Sequence, residues 1–270
     1  MKRLLNLLLV GFMLATSYVI PQNVTTSSKV FSHGETLVYK VKWMFMRIGT
    51  ITINTFKHNE DPSLIKIIME VESNPDLFFL KVKGYNESWI DASNLMSKSY
   101  FGDHQSGGDR TIINSKYDPE KKIAVYSSFD AIKKLSIRCD TIYNAPFYVE
   151  GPSLFFLTRV IAARRKIINI PTLVNGKISN TRLVFGGEKE EIEIDALPYP
   201  VRTLHYIGFA DWEGGTSQAL GGEFEGWISD DEAAVPVYAE LKVLLGSIKI
   251  ELESWKRQGW NTFFINTNHK

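Results

Sequence analysis

The densest group of chemically able residues is Gly102-Asp103-His104-Gln105-Ser106-Gly107-Gly108-Asp109-Arg110, which sets acid, imidazole, hydroxyl and glycine within nine positions. Acyl transfer uses those side-chain types, but a working triad converges from distant segments. The stretch therefore reads as a polar hairpin tip. Asp230-Asp231 could be a carboxylate pair or half of a calcium site; it lacks the Asp-x-Asp-x-Asp-Gly spacing of a calcium loop and reads as a solvated turn. Glycoside hydrolysis would need two acids facing across a cleft, for instance Glu87 or Asp211 with Asp230. Asp211-Trp212-Glu213 also opens a glycine-rich loop to Gly222, either a lid or a long connection. The histidines (His33, His58, His104, His205, His269) are scattered, with no two at metal spacing on one element. No catalytic residue, metal ligand, cofactor or phosphate-cradling loop is assigned. Cys139, the single cysteine, should share a buried face with Leu135 and Ile137 and act as a small hydrophobe.

Whatever chemistry these groups do depends on the elements that place them. Lys plus Arg is 31 and Asp plus Glu 30, interleaved rather than blocked, so no nucleic-acid partner is expected. Hydrophobic residues at 44%, aromatics at 12% and many Val/Ile/Thr clusters favour a β-rich core. Met1-Lys2-Arg3 followed by an apolar run from Leu4 to Tyr18 has the layout of a secretory signal, with cleavage near Ala15-Thr16-Ser17. Residues 1–20 are assigned to it, an uncleaved anchor being the alternative, and 21–30 to a flexible lead-in. The body is expected on the periplasmic or extracellular side, without a disulfide.

Leu37, Tyr39, Val41, Trp43 and Phe45 share one parity, continued by Ile51 and Ile53, which predicts a first hairpin closed at Gly49 with Trp43 opposite Ile51. Strands are expected at 64–72, 79–91, 96–101, 111–117, 122–127 and 133–142. Asp118-Pro119 supplies a type I turn, and Asn175-Gly176 is the strongest hairpin turn in the chain. Between them, Pro152 at a first turn, Leu154, Leu157 and Ile161 at helical spacing, and Arg164-Arg165-Lys166 at the far end predict one helix over 152–166. Strands resume at 167–173, 177–185, 189–194, 202–209 and 223–229. Pro236 opens an alternating run whose parity flips at Gly246, either a second hairpin with Val243 opposite Ile248 or a bulge at Gly246 inside one long strand, the hairpin being preferred because each flanking run has a normal strand length. The expected fold is mainly β: one strongly curved antiparallel sheet of about a dozen strands, a half-barrel or open barrel. One central amphipathic helix packs on its inner face or across its mouth. One β-rich domain spans 31–258, with a tail at 259–270.

With those elements placed, the chain resembles a domain-of-unknown-function family of exported bacterial proteins. The resemblance rests on Gly34-Glu35-x-Leu37-x-Tyr39-x-Val41-x-Trp43, the central helix, and Trp227-x-Ser229-Asp230-Asp231 followed by Pro236-Val237 and Gly246-Ser247-Ile248. It implies a periplasmic antiparallel β protein and carries no catalytic residues.

Aromatic density on strand faces (Trp43, Phe45, Phe78, Phe79, Trp89, Tyr100, Phe101, Phe155, Phe156) reads mostly as core. A curved sheet closed by one helix has more inner surface than the helix fills, so Trp43, Phe45, Phe155, Phe156, Leu157, Val160 and Ile161 are candidates to line an apolar cavity. The first expectation is a non-enzymatic envelope protein that binds a lipid or lipoprotein acyl chain there, with transient membrane contact. The alternatives are an envelope assembly factor acting through sheet edges, and a hydrolase or carbohydrate-active enzyme.

Overall fold

A computed structural model describes residues 30–59, 61–162, 167–212, 222–243 and 246–260. Their elements in chain order are β1 (Glu35–Trp43), β2 (Met46–Lys57), β3 (Leu64–Ser73), β4 (Val82–Asp91), β5 (Ser97–Ser106), β6 (Asp109–Asp118), β7 (Ile123–Asp130), β8 (Leu135–Tyr143), α1 (Gly151–Ile161), β9 (Ile167–Val174), β10 (Lys177–Val184), β11 (Lys189–Ile192), β12 (Val201–Asp211), β13 (Gly222–Ser229), β14 (Pro236–Lys242) and β15 (Ser247–Lys256). The expected signal, the lead-in up to residue 29, Arg164-Arg165-Lys166, the glycine-rich loop over 213–221 and the tail over 261–270 lie outside the described residues, whereas Val30, assigned to the lead-in, is buried.

All fifteen strands join one antiparallel sheet in the order β8-β7-β6-β5-β4-β3-β2-β1-β15-β14-β13-β12-β10-β9, with β11 beside β12. Most chain neighbours pair, the exceptions being β8 with β9 and β10 with β11; the seam is β15 against β1, where Tyr39 faces Leu252 and Val41 faces Ile250. That seam joins the meander β1–β8 to the second half. The sheet stays open, because no strand ladder joins β8 to β9. The connection after β8 spans the gap: Val149 forms a parallel bridge to Thr172, and Arg138 Nη1 donates to the Asn175 carbonyl at 2.7 Å.

The pairing register puts Glu35, Thr55, Ile67, Ser88, Tyr100, Ser115 and Tyr126 in one row across seven strands, all facing the concave side. On the other half two glycines make room inside. The Tyr206 ring lies over Gly226, where a Cβ would come within 2.4 Å of it, and the Phe224 ring covers Gly208 in the same way.

Several sequence expectations shift by small steps of register. The first hairpin turns on Met44-Phe45, with Trp43 opposite Met46 and Tyr39 opposite Ile51, because a bulge after Val41 absorbs the extra residue. Phe45 thereby leaves the core face and stands 88% exposed in the turn. Phe78 and Phe79, expected in a strand, also lie in a turn, and Phe101 lies on the outer face; all three are exposed. In the last hairpin Leu241, not Val243, faces Ile248. Cys139 is exposed rather than buried, as are Leu135 and Ile137: Cys139 stands on the outward face of an edge strand, and a bulge at Ile137 breaks the expected alternation before Leu135. Asn175-Gly176 behaves as expected, with φ of 50° and 74° in a two-residue turn. Trp260, assigned to the tail, is buried, and its indole donates to Asp231 Oδ2 at 2.7 Å.

The helix runs inside the end of the barrel where β1 and β14 begin and β15 finishes. Its placement is fixed by a charged residue on its own buried face. Arg159 has no exposed side-chain surface, and its Nη1 lies 2.6 Å from Glu35 Oε1. Its Nε donates to the Ala234 carbonyl at 3.0 Å; Nη2 donates to Glu35 Oε2, Ala233 and Val30. Arg257 reaches the same Glu35 carboxylate from the end of β15. A buried guanidinium is tolerable only when its donors are met in this way. Replacing Arg159 with Leu leaves the buried Glu35 carboxylate with Arg257 as its remaining cation and the Val30, Ala233 and Ala234 carbonyls without this donor, and should cost about 3 kcal/mol. Urea denaturation against the native chain reads that loss; a change below 1 kcal/mol would mean that the contact is dispensable.

Candidate functional site

The concave interior divides into an apolar and a polar part. Tyr39, Phe155, Phe185, Tyr206 and Phe224 form the apolar side, with the Tyr39 and Phe155 rings edge to face at 6.2 Å and Phe185 against Tyr206 at 5.1 Å. The polar part gathers where α1 begins. Glu150, the residue before the helix, is buried; Ser115 Oγ and Ser153 Oγ each donate to its carboxyl at 3.1 Å. Burial pushes this carboxyl up to about 7, while the hydroxyls of Ser97, Ser115 and Ser153 pull part of the way back. The same burial, with the Glu150 charge beside it, raises the Tyr100 and Tyr148 phenols well above their usual value. Ser88, opposite Tyr100, is fully buried, and its hydroxyl finds no hydrogen-bond partner among the described residues.

Further along the same face, Tyr100 OH donates to Asn86 Oδ1 at 2.7 Å, and His104 Nε2 approaches that oxygen at 2.7 Å. Because the amide oxygen only accepts, the imidazole carries its proton on Nε2. Desolvation holds the His104 pKa down, so the neutral ring is favoured. Gly102 permits the cluster: a Cβ there would fall 2.7 Å from Tyr100 OH.

The nine-residue group expected to be a hairpin tip is the β5–β6 hairpin, turning on Gly107-Gly108. Its acid and base separate: Asp103 faces outward and forms two hydrogen bonds to Arg110, at 2.9 and 2.6 Å, whereas His104 faces inward. The carboxylates considered for glycoside hydrolysis do not converge. Glu87 alternates with the inward Ser88 and so faces outward on β4, with five strands between it and β13, which leads to Asp230; the two do not face each other across a cleft. Asp211 and Asp230 end opposite extremities of the β12–β13 hairpin. Glu87 and Asp230 are otherwise engaged: Glu87 holds Lys66 at 2.8 Å and accepts from Tyr85 and Trp89, and Asp230 holds Lys189 at 2.7 Å and Arg202 at 2.9 Å. Asp231 is structural, accepting from Ser229, the Ala233 and Ala234 amides and Trp260.

Of the cavity candidates, Phe156, Leu157 and Ile161 are buried in the core, Phe155 and Val160 pack against it with part of their surface free, Trp43 is partly buried at the end of β1, and Phe45 projects from the adjoining turn. The polar interior was missed in the sequence, because Ser88, Ser97 and Ser115 are single residues on three strands that only the register aligns. One donor group on the outer wall was missed for the same reason. Ligand atoms of Glu188, Glu190 and His205 lie within 4.8 Å of one another, and Glu225 sits 3.0 Å from His205 Nε2. Carboxylates with one imidazole suit a divalent cation. Beside β4 a groove of about 460 Å³ is lined by His33, Phe56, His58, Lys66 and Trp89.

Residues 38–253 match the family described as "Protein of unknown function (DUF3108)", and the chain belongs to that family. None of the curated proteins matches it significantly. Among solved structures, the fold is similar to a β-barrel-like DUF1849 protein from Brucella abortus, at 9% identity and a TM-score of 0.54, over 84% of this chain and 99% of that one. A Bacteroides fragilis protein with a YmcC-like fold aligns at 10% identity and a TM-score of 0.30, over 83% of this chain and 96% of that one. No helix among the described residues is long and apolar enough to cross a membrane.

The buried Glu150 gives a pH signature. Its folded pKa, about 7, lies above the ordinary 4.5, so the native state holds an extra proton between those values. Stability should therefore fall as pH rises from about 4.5 to 7, by on the order of 3 kcal/mol for this group. Glu150→Gln should flatten that slope and leave the variant more stable than the native chain at pH 8. Urea midpoints at pH 5 and pH 8 measure both; parallel curves would show that Glu150 stays ionised throughout.

Proposed function

We propose that this DUF3108 protein is a non-enzymatic exported protein that holds an apolar chain, such as a lipid or lipoprotein acyl chain, inside its open barrel. The N-terminal charge-then-apolar layout supports export. One observation carries the binding reading. Inward residues at the helix end, Leu37, Ile53, Ile65, Ile67 and Ile90, are no more than 2% exposed. Inward residues toward the opposite rim, Ile51, Met69, Ile113, Phe224, Leu241 and Ile250, keep part of their surface accessible. The core is thus filled where the helix lies and thins toward the other end, and the hydroxyls beside Glu150 could meet a polar end group.

Native mass spectrometry after mild lipid extraction tests this directly. Lipid should co-purify, and a fluorescent acyl-chain probe should be displaced from the emptied protein by long-chain fatty acid. Ile250→Glu, which sets a charge toward the rim, should weaken probe binding at least about ten-fold. A chain that takes up no probe, or an Ile250→Glu chain that binds as well as the native one, would contradict the reading.

A second reading, assembly through a sheet edge, is favoured by β8, the unpaired edge that exposes Leu135, Ile137 and Tyr143. Cys139 stands on that edge, exposed. A thiol-directed crosslinker on Cys139 should capture a discrete envelope protein under this reading and nothing reproducible under the first.

A further inference from the structure

Four successive hairpins of the first half-sheet end at the rim opposite α1, and backbone hydrogen bonds tie each tip to the next. The Asn74 N–H donates to the Ile48 carbonyl at 2.8 Å, and its side-chain amide to Arg47 O at 3.2 Å. Gly107 N–H donates to Lys81 O at 2.8 Å, and Ala131 N–H to Arg110 O at 2.8 Å. The turns after β1, β3, β5 and β7 therefore make one continuous ridge. On it stand Met44, Phe45, Phe78, Phe79, Ile132 and Leu135, all exposed, with Phe78 at 87%. Phe78 and Phe79 brace each other edge to face at 5.6 Å. Single exposed hydrophobes are ordinary; six along one edge, from three hairpins, mark an interaction surface.

The chemistry of the ridge selects among partners. Across 44–47, 74–83, 107–110 and 130–135 the bases are Arg47, Lys81, Lys83, Arg110, Lys133 and Lys134, and the acids are Asp76, Asp109 and Asp130. Within the turns themselves the bases outnumber the acids six to three, while Glu253, Glu72 and Asp103 just outside them offset three of those bases. Arg47, Lys83, Arg110 and Lys133 already pair with Glu253, Glu72, Asp103 and Asp130. Attachment must then rest mainly on the apolar tips, with the exposed Lys81 and Lys134 setting a preference. Side chains that project from a tethered ridge, rather than line a groove, fit a surface they can penetrate. Aromatics at the headgroup level flanked by Lys and Arg are the pattern of an interfacial anchor.

We infer that this ridge docks on the anionic surface of a lipid bilayer, with Phe45, Phe78 and Phe79 inserted at the headgroup boundary. Docking there sets the thinly filled end of the barrel, not the helix end, against the lipid. The inference does not depend on what the interior holds.

Flotation with vesicles tests it, using the chain recovered in soluble form from the cell envelope. With phosphatidylcholine vesicles containing one-third phosphatidylglycerol the protein should float, and several-fold less at high salt or on pure phosphatidylcholine. The triple substitution Phe45→Ser, Phe78→Ser, Phe79→Ser should lower binding about ten-fold or more with an unchanged melting midpoint and unchanged acyl-probe binding. Should the triple variant melt early, Phe45→Ser and Phe78→Ser singly should each lose part of the binding. A native chain that stays with the soluble fraction, or a folded triple variant that floats equally well, would overturn the proposal.

Discussion

The structure depends on one buried ion pair. Arg159 sits on the helix face that meets the sheet, and its guanidinium reaches the first residue of β1, the Ala233 and Ala234 carbonyls ahead of β14, and Val30. Arg257 brings the end of β15 to the same Glu35 carboxylate. Elements near residues 30, 35, 159, 234 and 257 are thus held at one point, which is also where the β1–β15 seam joins the two half-sheets. A buried pair of this kind is weak evidence for net stability, because desolvation offsets most of the Coulomb attraction. What it does secure is geometry: any other docking of α1 leaves a charge unmet in the core.

That geometry sets the gradient along the barrel. With α1 fixed at one end, Phe156, Leu157 and Ile161 fill the space between the walls there, and Glu150 is carried into the interior beside Ser97 and Ser115. Toward the opposite end, among the described residues, Ile51, Met69, Ile113, Phe224, Leu241 and Ile250 keep part of their surface exposed. Helix end, half-filled middle and apolar ridge then follow one another along a single axis. A membrane-facing ridge at the thin end would give an acyl chain a short path between bilayer and interior, so the two proposals share one direction of approach.

Much of this was legible in the sequence. Period-two alternation located most of the strands, Asn175-Gly176 fixed its turn to the residue, and Gly151-Pro152 marked the helix start. The failures share a cause. Alternation says which residues share a face but not whether that face is covered, so Leu135, Ile137 and Cys139 were placed inside although β8 is an edge whose outer side meets solvent. A bulge of one residue after Val41 moved Phe45 from a wall to a tip. Arg159 carries no local signal, since its partner Glu35 is 124 residues away. The interior hydroxyls come from three strands and carry no local pattern at all. Long-range register decides each of these, and periodicity does not contain it.

Native-state hydrogen exchange of the amides in α1, compared with those of β1 and β15, tests the central claim most directly. If the Arg159–Glu35 knot holds the helix as part of the barrel, the amides from Leu154 to Ile161 should open only with the global unfolding of β1 and β15, and share their free energy and denaturant dependence. Exchange of α1 through a separate, lower-energy opening while the β1–β15 seam stays protected would contradict the account. It would make the helix a movable lid.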